Sequence, residues 1–205
     1  MGATFGAVIP VTGLNIGFPG QPSRTGEKVV VARQADPANA HNISFGQAVV
    51  ILSSASTPAA SASGATPGTY QSVADFIAAG GTFTAAKFAG IAIREVKTNL
   101  LYTTLVQPNT TSQLGYYAPG EECEVLERGS IVVTLQIAAA VTIASQGTVY
   151  IRVAANGAYP SAVVGGIEGV ADGANTVALS NVVFRTGVLD ANNSVEITLL
   201  NRVAA

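Results

Sequence analysis

The sequence of 205 residues is poor in the side chains that most active sites need: it has one histidine, one cysteine and no tryptophan. The lone Cys123 excludes a disulfide within one chain, and so few ligands exclude a Cys/His metal cluster. A Cys–His or Ser–His–Asp site would have to use His41, the single histidine. We therefore predict no catalytic, cofactor-binding or metal-binding residues, and a protein that is not an enzyme.

Charged side chains are also scarce. They make up 11% of the residues, against about 25% in a typical soluble domain, and the net charge is −2. This balance excludes a strongly basic nucleic-acid binder. No apolar run is long enough for a transmembrane helix, so we expect neither nucleic acid nor a membrane as a partner. The first positive side chain, Arg24, comes too late for the basic start of a secretory signal, which predicts folding in a cytoplasm.

Short runs rich in β-branched residues are what the sequence has instead. Residues 130–137, 148–153 and 195–200 alternate between apolar and polar side chains, which is typical of strands with one buried face. The predicted buried residues are Ile131, Val133, Leu135, Ile137, Val149, Ile151, Val153, Val195, Ile197 and Leu199. Further strands are predicted in 28–33, 45–52 and 88–93. Many short strands separated by turns favour an all-β, β-sandwich or jelly-roll-like single domain.

Local signals add one helix and several turns. Residues 72–80 predict a short helix with Ser72 as its N-cap and Gly80 at its end. Gly90, inside a predicted strand, indicates a close backbone approach. The pair Asn156–Gly157 predicts a tight hairpin after the strand at 148–153.

The first 26 residues are apolar but interrupted by prolines and glycines, which predicts an extended arm rather than a helix. Two hypotheses remain open: the arm packs on its own domain, or it reaches a neighbouring subunit. The candidate subunit-contact residues are Phe5, Ile9, Leu14, Ile16 and Phe18. Residues 27–205 then form the domain, with a small-residue, flexible loop at about 53–69.

Four polar motifs contain residue types that can carry chemistry, and each favours a structural interpretation. Residues 190–196 place oxygen side chains at alternate positions but lack the spacing of an EF-hand. Residues 165–169 are glycine-rich but lack a phosphate-binding lysine. Glu122 and Glu124 share a strand face and could pair for acid/base catalysis, but we favour a solvated face or an inter-subunit salt bridge. His41 lies in a turn-rich segment, so we predict a solvated loop histidine.

One longer stretch is specific enough to compare with a known family. Residues 117–133 read YAPGEECEVLERGSIVV, a turn, a short strand, an Arg-Gly step and a β-branched strand. With FGQAV at 45–49, FAGIA at 88–92 and GTVYIR at 147–152, this order resembles the structural cement, or decoration, proteins of tailed bacteriophage capsids. The turn-defining residues are Pro119, Gly120 and Gly129: Pro-Gly suits a type II turn, and Gly129 suits a bend or bulge.

The resemblance implies a non-enzymatic virion protein that binds the outer surface of an assembled capsid and cements its subunits. The implied partners are the major capsid protein and further copies of this chain, as a dimer or trimer. The expected location is the capsid exterior, after assembly in the host cytoplasm. Two alternatives remain: a carbohydrate-binding β-sandwich, for which Tyr116–Tyr117 offer the adjacent rings, or a tail or baseplate protein.

Overall fold

The computed structural model describes residues 16–23, 26–52, 68–94, 115–136, 143–190 and 192–201. In chain order the strands are β1 (Val29–Gln34), β2 (Ile43–Ser44), β3 (Ala48–Ile51), β4 (Tyr70–Ser72), β5 (Phe88–Ala92), β6 (Tyr116–Tyr117), β7 (Glu122–Thr134), β8 (Thr148–Arg152), β9 (Ile167–Glu168), β10 (Thr176–Phe184) and β11 (Ser194–Leu199). Helix α1 (Val73–Ala78) follows β4, and 3-10 turns form at Ala85–Lys87 and Gly173–Asn175.

Nine strands form one antiparallel sheet in the order β4-β3-β5-β7-β11-β10-β8-β9, with β1 also paired to β7. The sheet curls so far that Ala35, just after β1, bridges to Tyr70 of β4. The N–H of Asp36 also donates to the Tyr70 carbonyl at 2.8 Å. The strands β2 and β6 form a separate two-stranded sheet. The predicted all-β class with one short helix is confirmed.

Strand β7 joins the two sections of the curled sheet. Its first half pairs with β1 and β5, and its second half, from Gly129 onward, pairs with β11. The register with β1 slips by one residue at Arg128, which is the signature of a β-bulge. A bulge shifts the alternation of side chains along the strand by one residue. The same set of alternate positions in β7 can therefore face different buried clusters before and after the bulge.

Within the described ranges, buried side chains form two clusters, and β7 contributes to both. Cys123 and Val125 belong to a small cluster around Tyr70 and Tyr117. Leu126 and the second half of β7 belong to a larger cluster. The predicted inward residues Ile131, Val133, Leu135, Val149, Ile151, Val195, Ile197 and Leu199 are all buried, and Val153 packs against the larger cluster. Alternation therefore predicted the core face of three strands correctly, while Ile137 lies outside the described residues.

Two local predictions are confirmed in detail. Helix α1 is capped by Ser72, whose Oγ accepts from the N–H of Asp75 at 3.0 Å. Gly80, just beyond the helix, has a φ of +87°. A Cβ at Gly90 would overlap the carbonyl oxygen of Leu126 and lie 2.6 Å from a methyl carbon of Val125. The glycine therefore lets β5 approach β7 closely.

Two expectations about individual elements are wrong, and one strand was missed. Asn156–Gly157 makes no tight hairpin, because β8 pairs with β9 across the long connection 153–166. Strand β10 was not predicted, because its register slips between Leu179 and Val183 and breaks the period-two pattern. Arg152, expected on the outer face of its strand, is completely buried. Within the described residues, no helix has the length and apolarity needed to cross a membrane.

The close approach at Gly90 generates a stability prediction. We expect Gly90→Ala to lower the free energy of unfolding by about 1–3 kcal/mol or more, because the new methyl overlaps the backbone of β7. Gly157→Ala is the matched control, since a Cβ there meets no atom within 4 Å, and it should change stability by less than about 0.5 kcal/mol. Urea unfolding measures both, and equal midpoints would refute the predicted overlap.

Candidate functional site

The described part of the predicted arm, residues 16–23, lies along the protein's own sheet. The N–H of Gly20 donates to the carbonyl of Val132 at 2.8 Å, and Val132 N–H donates back to Gln21 at 2.9 Å. Pro22 forms an antiparallel bridge with Ile131. This segment therefore continues the sheet beside the second half of β7.

Side chains hold both ends of this segment. The N–H of Ile16 donates to Oδ2 of Asp190 at 3.1 Å, and Ser23 Oγ donates to Glu196 at 2.7 Å. Phe18 is 52% exposed, and the Arg94 guanidinium stacks 4.3 Å from its ring centroid. Of the predicted contact residues, Ile16 thus lies at the anchored segment and Phe18 faces solvent. Phe5, Ile9 and Leu14 lie outside the described residues.

The Pro119–Gly120 step lies at the turn before β7. Gly120 has a φ of +85°, and the N–H of Glu121 donates to the Ala118 carbonyl at 3.1 Å, as in a type II turn. The Glu121 carboxylate accepts from the N–H of Ala118 at 2.7 Å. Gly129 has a φ of +125° and follows the bulge in β7. Both glycines thus occupy conformations that L-residues rarely adopt.

A fully buried arginine organises the loops at the β8–β9 end of the sheet. Arg152 pairs with Glu168 through Nε and, at 3.1 Å, through Nη2. Its Nη2 also donates to Asp172 at 2.9 Å, and its Nη1 donates to the Ala154 carbonyl at 3.0 Å. Asn156 Nδ2 donates to both oxygens of Asp172. Removing one member of such a buried pair leaves an uncompensated charge, so the network specifies one loop arrangement.

The network shifts two pKa values. Burial alone would lower the pKa of Arg152, but its hydrogen bonds and charge interactions with Glu168 and Asp172 raise it above the ordinary value. The pKa of Asp172 is lowered, first by the hydrogen bond from Asn156 and then by Arg152, against the opposing effect of desolvation. Both groups therefore stay charged at neutral pH.

His41 is an exposed loop residue, as its sequence context predicted, but it also has a partner that the sequence did not indicate. Its side chain is 64% exposed, yet its Nδ1 lies 2.6 Å from Oδ1 of the buried Asp75 in helix α1. Ser72 Oγ donates to the other oxygen of Asp75 at 2.8 Å. Asp75 therefore links the helix cap to the segment before β2. Sequence reasoning missed this pair because the two residues lie 34 positions apart and no local pattern joins them.

The other motifs have structural partners. Asp190 Oδ1 accepts the N–H groups of Asn192 and Ser194, as in an Asx turn. A Cβ at Gly166 would collide with the Gln136 side chain, so this glycine permits close packing. Cys123 is buried in the small core cluster. Across the residues that the structure describes, no three His, Cys, Asp or Glu side chains gather where they could hold a metal ion.

The ring pair that motivated the carbohydrate-binding hypothesis is not an exposed platform. Tyr117 is fully buried, and its OH donates to the Ile93 carbonyl at 2.8 Å. Its ring packs edge to face with Phe45, 5.2 Å between centroids. Only Tyr116 keeps partial exposure, so the two rings cannot both stack on a sugar.

Comparison with solved structures finds a chain with a similar fold. The chain is similar to one from the capsid of Myoviridae phage XM1, with a TM-score of 0.54 and 18% sequence identity. The alignment covers 98% of this chain and 99% of the other. At this identity the similarity establishes the fold alone. No curated protein matches the sequence.

A family model identifies the protein more closely. The model described as "Structural cement protein (E217 gp24/Pam3 gp6)" matches residues 9–200. The chain therefore belongs to the phage structural cement protein family, and the resemblance seen in residues 117–133 is confirmed. Its role is that of a structural protein of a phage virion.

The lowered pKa of Asp172 predicts an acid-dependent loss of stability. A carboxylate with a depressed folded-state pKa stabilises the fold above its ordinary pKa, and this contribution disappears as pH falls through the folded value. We expect Asp172→Asn to be less stable than the wild type at about pH 7, with the difference shrinking below about pH 4. Urea unfolding across this range measures it. Glu122→Gln, an exposed control, should follow the wild type, and a pH-independent deficit in Asp172→Asn would contradict the prediction.

The two turn glycines should differ in their sensitivity to alanine. Gly120→Ala should cost about 1 kcal/mol for placing an L-residue at positive φ. Gly129→Ala should cost more, because its φ is less accessible and its new Cβ would lie 3.2 Å from Cβ of Lys28. Thermal unfolding gives the ranking, with Gly26→Ala, whose Cβ meets nothing within 4 Å, as the unchanged control. If both turn variants had the melting temperature of the wild type, neither backbone conformation would be required.

Proposed function

We propose that this protein binds the outer surface of a phage capsid and cements neighbouring major capsid subunits, as a homo-oligomer and without catalysis. Family membership and the virion structural role support a place on the shell. We further propose assembly in the host cytoplasm and a location on the capsid exterior. Many copies on one shell bind multivalently, so each contact can be weak on its own.

The single observation that carries this proposal is the anchoring of residues 16–23. Hydrogen bonds from Gly20 and to Gln21 fix the segment against β7, and Asp190 holds the N–H of Ile16. Residue 16 is therefore fixed at a defined point on the domain. Fifteen extended residues span at most about 50 Å, enough to cross from one subunit to another.

The composition of that upstream segment supports a contact role. Phe5, Ile9 and Leu14 are large apolar residues, and burying one such side chain is worth roughly 1.5–3 kcal/mol. We propose residues 1–26 as the arm and 27–205 as the domain, with the anchored part of the arm serving as its base. Phe18, exposed on the Arg94 guanidinium, extends the proposed contact onto the domain.

The arm is tested by deleting residues 1–15, which leaves the anchored base intact. Particles stripped of this protein are given back intact or truncated chain, and bound protein is measured by sedimentation together with the particles' resistance to heat. We expect truncation to weaken attachment at least about tenfold, while the melting temperature of the free protein changes little.

Two substitution variants sharpen this experiment. Replacing Phe5, Ile9 and Leu14 together by serine should reproduce the deletion at full chain length. Val188→Ser is the control, because Val188 is an equally apolar side chain that is 67% exposed on the domain. If truncated protein binds and protects as well as intact protein, the arm is not the contact. If intact protein also fails to bind, the cement proposal itself is wrong.

A further inference from the structure

A groove of about 310 Å³ lies where β7 passes from its pairing with β1 to its pairing with β11. Its walls are the segment before β1, the middle of β7, the residue after β10 and the end of β11. The side chains that matter for its chemistry are Lys28, Arg128, Arg185, Glu27, Leu199 and Leu200. Gly129, with its positive φ, lies in the floor between them.

The groove gathers three positive side chains, which the described residues neutralise only in part. Arg128 pairs with Glu27, whose side chain is 85% exposed. The side chains of Lys28 and Arg185 have neither a hydrogen bond nor an ion pair within the described ranges. Three cations thus face one anion, in a protein whose net charge is −2.

Arginines elsewhere in the described chain are already engaged. Arg33 stacks over Tyr70, and Arg94 stacks over Phe18. Arg152 is buried in its ion-pair network. Lys28 and Arg185 therefore stand out as unpaired cations at one concave position, where low-dielectric walls focus their field.

We propose that this groove binds an extended acidic segment of the capsid shell, with carboxylates on Lys28 and Arg185. The proposal rests on the proposed cement function and names the chemistry of the partner. Leu200, 54% exposed, adds an apolar wall that suits a polypeptide better than a phosphate backbone. The net negative charge of the chain also opposes a long polyanion such as nucleic acid.

The position of the groove agrees with the proposed arm contact. It begins at Gly26 and Lys28, directly after the anchored segment that ends at Ser23. A shell segment in the groove would therefore lie beside the base of the arm. The two contacts would form one continuous interface, with apolar burial from the arm and charge pairing from the groove.

The experiment uses the single charge reversals Lys28→Glu and Arg185→Glu in the full chain. Lys87→Glu is the matched control, because Lys87 is exposed, lies outside the groove and changes the net charge equally. Binding to stripped particles is measured at low and high salt, after equal melting temperatures confirm folding. We expect each groove reversal to weaken binding about tenfold at low salt and to reduce its salt dependence. The control should stay within about twofold of the wild type.

A second experiment separates the groove proposal from the proposed cement function. A fluorescent hexaglutamate peptide is titrated into free protein, and a single-stranded oligonucleotide into a parallel sample. If the free protein binds the peptide and both groove reversals abolish this binding, the groove proposal is supported. If, in addition, neither the wild type nor any variant binds particles, the cement function alone fails. Three results would overturn the groove proposal. They are unchanged particle binding by both reversals, a loss of particle binding in Lys87→Glu equal to that of the reversals, and preferential binding of the oligonucleotide.

Discussion

The fold depends on the passage of β7 through two sections of one curled sheet. Its first half pairs with β1 and β5 and buries Cys123 and Val125 in the small core cluster. Its second half pairs with β11 and fills the larger cluster. The bulge shifts the alternation by one residue, so that odd-numbered positions face the small cluster before it and the larger cluster after it, and Gly129 provides the backbone conformation that follows the bulge.

The same passage places the features that bear on function. The anchored segment 16–23 lies along the second half of β7, and the basic groove opens beside Gly129. A contact made through the arm and the groove would therefore act on the strand that unites both cores. Such a strand resists distortion, because bending it would disturb packing on either side.

A second organising interaction lies at the other end of the sheet, around Arg152. Its pairing with Glu168 and Asp172 ties together the loops on either side of β9. A buried ion pair adds little net stability compared with apolar packing, but it penalises every loop arrangement that leaves the arginine unpaired.

Period-two alternation, helix capping and the Pro-Gly turn are local, and the sequence alone predicted them: the buried faces of β8 and β11, Ser72 as a cap and the tight approach at Gly90. Sequence motifs likewise indicated the cement family. Tertiary structure alone revealed the burial of Arg152, the pairing of His41 with Asp75 and the course of β10. Those features depend on residues that the curled sheet brings together. A periodic pattern along the chain does not indicate which side chains pair across such distances.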